Sequence, residues 1–180
     1  MESSLLRYIG SMFAVLAFVY ENYWHGEACP QWEHLQRKLS AVGFEAEEIR
    51  EALTWLSGLS LATRDTLLPR ASGAGAAPLF GHPSESLLES TASMRVYSMS
   101  EQNRLGPECL GFINFLHTAG VLSAHMREVV VDRAMACDAN NLSLEDLKII
   151  VLMVYWSFGQ EPDALVLDEL CDDSSDRVAH

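Results

Sequence analysis

Residues Ile149–Trp156 read IIVLMVYW, eight apolar residues in a row that leave no polar face at any helical angle. A helix that crosses a bilayer needs roughly 20 such residues, so this run is too short to span. A helix that is apolar around its whole circumference must instead be enclosed by other helices. Its limits are written beside it. Ser143 is a good N-cap, Glu145 and Asp146 occupy the first turn where carboxylates meet the helix dipole, and Gly159 and Pro162 end it. The chain must therefore supply several amphipathic helices to wrap this one.

It does. Leu5, Ile9, Met12, Val15, Leu16 and Val19 recur at three- and four-residue steps and predict a helix over Leu5–Tyr23. A second is expected over Pro30–Val42, with Trp32, Leu35 and Leu39 inward and Gly43 as its stop. A third fits Glu45–Ser57, with Ile49, Ala52, Leu53 and Leu56 inside and Gly58 ending it. Beyond Ser93, Ser98-x-x-Glu101 is a capping box, Pro107 marks a helix start that runs to Gly120, and Ser123 opens a helix carrying Met126, Val129, Val130 and Cys137. A short helix is expected over Asp163–Cys171.

Between these blocks the pattern dissolves. ASGAGAAP (Ala71–Pro78) and GHPSES (Gly81–Ser86) cannot build a packed face. Leu59–Thr66 reads as a weak strand, Leu68–Ala92 as a mobile loop, and Met94–Tyr97 as a returning strand. Helix, glycine stop, helix, strand and loop in that order spell a winged helix. Its would-be recognition helix, however, carries Glu45, Glu47, Glu48 and Glu51 against one Arg50, a charge that phosphate repels.

Charge points the same way. The chain of 180 residues has a formal net charge of −13, and residues 107–180 hold 13 acids against 4 bases. Such a surface disfavours nucleic acid and anionic membranes and favours a basic partner. Cys29, Cys109, Cys137 and Cys171 are widely spaced with no C-x-x-C pair, which predicts reduced thiols and a cytoplasmic protein. The run Met12–Tyr20 is too short to span a membrane and is followed by no signal-peptide cleavage pattern.

MFAVLAFVYENYWH, LSAVGFEAEEIREALTWLSGL, SMRVYSMSEQNRL and REVVVDRAMACDANNLSLEDLKIIVLMVYWSF together resemble the bacterial Smg protein family. The similarity runs from Met12 to about Leu170 and is most specific at D-R-A-M-A-x-D followed by L-E-D-L-K. The resemblance implies no activity, cofactor or catalytic residue set. It implies only a gene neighbourhood near DNA-processing protein A. Relative to that family Met1–Ser11 reads as an extension or an early start codon, and Ala71–Ser86 as a longer insert.

Candidate sites are few. His25, Cys29 and His34 form H-x3-C-x4-H but want a fourth zinc ligand, and packing residues surround them. His117 and His125 lie in sequence near Cys109 and Cys137 without a nucleophile turn. Arg127, Glu128, Asp132, Arg133 and Asp138 cluster in sequence; Asp132 with Arg133, and Asp146 with Lys148, are expected to form an ion network joining the two C-terminal helices, with a functional acidic groove as the alternative.

The expectation is a mainly α fold, with a winged-helix-like N-terminal half and small β wing (1–106, loop 68–92) packed on a C-terminal helical bundle (107–172) and a frayed tail (173–180). Its function is expected to be that of a non-enzymatic interaction or adaptor protein, with no cofactor or metal, linked to DNA metabolism through a protein partner. Glu45, Glu48, Glu51, Asp168 and Glu169 are the expected partner surface. The alternatives are direct nucleic-acid binding by Arg64, Arg70 and Arg95 on the wing, and an enzyme with an acidic pocket between the halves.

Overall fold

The computed structural model describes residues 11–23, 32–67, 95–137, 142–162 and 170. The expected loop 68–92, nearly all of the expected helix Asp163–Cys171 and the tail 173–180 lie outside the described residues. The described residues form six helices: α1 Met12–Tyr23, α2 Trp32–Val42, α3 Ala46–Leu67, α4 Met99–Thr118, α5 Ala124–Met135 and α6 Leu144–Ser157.

The apolar run became the centre. α6 packs against α1, α3, α4 and α5, and Leu147, Ile150, Val151, Met153 and Val154 are completely enclosed. Ser143 caps it as part of a full capping box with Asp146, whose backbone N–H donates to the Ser143 hydroxyl over 3.1 Å. α1 lays Phe13, Ala14, Val15, Leu16 and Val19 against α6 and α3. One continuous core links these helices.

The β wing does not exist among the described residues. α3 runs straight through Gly58 and absorbs the whole of Leu59–Thr66, which had been expected as a strand. Its buried positions Ala52, Leu56, Leu59 and Thr63 advance by four, three and four, the period of a helix. Thr63 tolerates this core position because its hydroxyl donates to Leu59 O of the preceding turn over 2.9 Å. Of the expected returning strand, Arg95–Tyr97 is irregular and pairs with no strand.

Gly58 has a different task from stopping a helix. A Cβ placed on it would lie 2.0 Å from Nη1 of Arg133, so the missing side chain makes room for a guanidinium from α5. Three residues earlier the Trp55 indole Nε1 donates to Arg133 O over 3.1 Å and fixes the same seam.

The capping box expected at Ser98 and Glu101 opens α4. α4 is bent at Gly106, whose φ of 68° and ψ of 172° lie outside helical values, and Pro107 restarts the helix. Beside the bend Arg104 O accepts from Leu142 N over 3.4 Å, which ties the approach to α6 onto α4. At its far end α4 turns into α5 through Gly120, with φ of 75°.

Candidate functional site

α3 is the element on which the exposed chemistry is strung. At its start Glu45, Glu47 and Glu51 are exposed, and Glu48 is half-buried. The Glu48 carboxylate accepts from the Glu45 backbone N–H over 3.0 Å, capping one of the donors a helix start leaves unpaired. Glu47 holds the Arg50 guanidinium. Of the expected partner surface, Glu45 and Glu51 thus stand free of a structural duty that would explain them, Glu48 caps, and Asp168 and Glu169 lie outside the described residues.

A groove of about 400 Å³ lies beside this acidic end, where Met12 and Phe13 of α1, Arg50, Glu51 and Trp55 of α3, and Arg133 and Cys137 at the end of α5 meet. Its cations are already engaged. Arg133 donates to Asp132 through Nε at 2.9 Å and Nη2 at 2.7 Å. The Cys137 thiol donates to Arg133 O over 3.3 Å, and burial pushes its pKa up to about 11.

Along the second half of α3 a second groove of about 400 Å³ opens between α2, α3 and α6. Leu56 and Leu59 form its floor, Trp32 and Trp156 flank it, and Arg64 is its charged wall. Trp32, expected to face inward, is 44% exposed here. Thr63 and Ser157 close the floor with their hydroxyls 2.9 Å apart.

The ion network took in part another form than expected. Arg133 pairs with Asp132 as expected, but Asp146 serves the α6 cap, and the buried Lys148 lies 3.5 Å from Glu145. The connected cluster is elsewhere and centres on Arg95. Its Nη2 meets Glu101 Oε1 at 2.8 Å and its Nε meets Glu128 Oε1 at 2.8 Å, while Arg127 Nη2 meets the same Glu128 oxygen at 2.9 Å. The Arg95 guanidinium also lies 4.4 Å from the centre of the Tyr97 ring. Donation by Arg95, with a further bond from Ser98, holds the Glu101 carboxyl down at about 2. This cluster clamps the chain onto the start of α4 and onto α5, and it went unforeseen because Arg95 had been assigned to a wing.

Arg95 is therefore spent on two carboxylates, Arg64 belongs to the last turn of α3, and Arg70 lies outside the described residues. His34 is exposed on α2, whereas His25 and Cys29 are outside the described residues, as is Asp138. Among the described residues no three His, Cys, Asp or Glu side chains gather as a metal site. His117 Nδ1 lies 2.9 Å from Leu122 O and closes the α4–α5 turn, while His125 is exposed on α5. The Cys109 thiol donates to Leu142 O over 3.5 Å, and burial raises its pKa to about 11. Neither described thiol has a histidine to activate it. No helix among the described residues is long and apolar enough to cross a membrane.

Comparison with known proteins agrees over nearly the whole chain. A family model described as a protein of unknown function (DUF494) matches residues 12–180. A protein named "Protein Smg homolog" from Methylibium petroleiphilum is 53% identical over 169 residues, covering 94% of this chain and 100% of the relative. Proteins of the same name from Leptothrix cholodnii and Bordetella pertussis are 54% and 43% identical, each over 94% of this chain and 100% of the relative. No solved structure matches the chain. Matched by the family model over residues 12–180 and by these relatives over nearly its whole length, the chain belongs to the Smg protein family.

Proposed function

We propose that this protein is a non-enzymatic interaction protein of the bacterial cytoplasm that engages a basic protein partner through the acidic start of α3. The carrying observation is that Glu45, Glu47 and Glu51 stand exposed together on the first turns of α3 with Arg50 as the only base among them, on a chain of net charge −13. Carboxylates so placed cost little to keep solvated and present a coherent negative field to a cationic surface. Reduced, buried Cys109 and Cys137 suit the cytoplasm. The same thiols, held protonated by burial, and a His117 bound to backbone supply no obvious nucleophile or base, which supports a role without catalysis. Any link to DNA metabolism would run through the partner and not through contacts of this chain with phosphate.

The test is affinity purification of the full chain from its own cells beside a Glu45→Lys, Glu47→Lys, Glu51→Lys variant. A basic protein that co-purifies with the native chain, elutes with rising salt and is lost with the variant supports the reading. Identical recoveries from both baits would discard the acidic face.

A further inference from the structure

We infer that the groove between α2, α3 and α6 is a second docking site, made for an acidic amphipathic segment of a partner protein. The occupant seats an aromatic or branched aliphatic side chain between Trp32 and Trp156 and sets a carboxylate on Arg64. The groove's volume of about 400 Å³ falls in the range of roughly 300–1,000 Å³ typical of ligand sites. Its floor is apolar and finished: Leu56 and Leu59 are buried, and the Thr63 and Ser157 hydroxyls are within hydrogen-bond reach of each other and of the carbonyls of Leu59 and Val154. An apolar group seated over Thr63 and Ser157 therefore strands neither hydroxyl. Trp32, at the very start of α2, leaves 44% of its surface in water beside that floor, and half-open tryptophans rimming an apolar pocket are the usual anchors of protein interfaces.

Charge complementarity selects the occupant. On a chain of net charge −13, the single charged residue lining this groove among the described residues is a cation, Arg64. A basic segment would meet like charge at the rim, whereas a carboxylate next to the seated side chain finds a guanidinium suited to hold it. The site is distinct from the acidic start of α3. The groove runs along the second half of the 22-residue α3, from Leu56 to Arg64, whereas the acidic residues stand at its start. An interaction protein with both could bridge two partners of opposite charge. The inference rests on the interaction reading but not on the acidic face, so either surface can fail alone.

The test is selection of a phage-displayed library of random 12-residue peptides on the full chain, with a Trp32→Ala chain as the control bait. Enrichment of peptides joining aromatic or leucine residues to Asp or Glu, lost on the Trp32→Ala chain, is the expected result. For the best synthetic peptide, Arg64→Gln should weaken binding about fivefold and flatten its salt dependence, and the Trp32 and Trp156 indole NMR signals should move. Enrichment of basic peptides, or no enrichment above the Trp32→Ala control, overturns the inference. So does light scattering that shows a dimer dissolved by Trp32→Ala, since a second copy of the chain would then fill the groove.

Discussion

At Gly58 two opposing effects can be weighed. Alanine in place of glycine inside a helix gains about 0.5–1 kcal/mol from backbone entropy and propensity. Against this, the new Cβ would stand 2.0 Å from Nη1 of Arg133, and that guanidinium must swing away. The displaced atom is the tip of a flexible side chain, and its ion pair is with a largely exposed Asp132, an interaction worth about 0–1 kcal/mol. The two nearly cancel, so Gly58→Ala should change stability by less than about 1 kcal/mol. With Arg133→Ala already in place the clash is gone, and the same change should stabilise by about 0.5–1 kcal/mol. A double-mutant cycle in urea measures the difference; no coupling between the two sites would mean the guanidinium does not sit over Gly58. Glu101 gives a second expectation. Its carboxyl is held at about 2, below the ordinary 4.5, so the stability it contributes is present above pH 4.5 and is lost as the pH falls toward 2. Arg95→Gln removes the first cause of that depression. The urea midpoint of the native chain should therefore fall more steeply between about pH 5 and 3 than that of the variant, and parallel curves would refute it.

The elements show where the sequence was legible and where it was not. α6 was legible because eight consecutive apolar residues admit one solution, enclosure by other helices: Ile150–Tyr155 are buried, and only Ile149 and Trp156 at the two ends of the run are partly open. The caps at Ser98, Ser123 and Ser143 were legible because each is a local hydrogen-bond pattern that needs no tertiary information. α3 was misread for a tertiary reason. Gly58 looks like a stop, and Leu59–Ser60–Leu61 alternates like a strand, until Arg133 is seen filling the space over the glycine. Thr63 hid the remaining core position, since a hydroxyl bonded one turn back leaves no apolar mark in the sequence. Trp32, read as inward, stayed open, and with it the groove escaped notice. The contrast between α6 and the outer side of α3 can be measured. Leu152 is 7% exposed, and Leu152→Ala should cost about 2–5 kcal/mol in urea unfolding, as buried leucines that leave cavities do. Leu61, 60% exposed on α3, should cost within about 0.5 kcal/mol when changed to alanine. Equal costs at the two positions would contradict a central α6.

At the scale of the molecule, the described fold and the charge of the chain argue against direct DNA binding. A recognition helix must keep one long face free for the major groove, but α3 packs against α1, α2, α5 and α6 and serves as a spine of the core. Its free end presents Glu45, Glu47 and Glu51, and residues 107–180 add 13 acids against 4 bases. Binding to duplex DNA is driven largely by the release of counterions when lysine and arginine neutralise phosphates. Here Arg95 is neutralised by Glu101 and Glu128, Arg127 by Glu128 and Arg133 by Asp132, so these cations have little left to offer. The full chain should therefore show no sub-micromolar binding to duplex DNA in a fluorescence anisotropy titration at about 150 mM salt. Lowering the salt should not rescue it, because a chain of net charge −13 is repelled more strongly as screening weakens. Tight binding that strengthens steeply at low salt would require a basic surface outside the described residues and would displace the protein-partner reading. Replacing Arg64 and Arg70 would then show whether that surface begins at the end of α3.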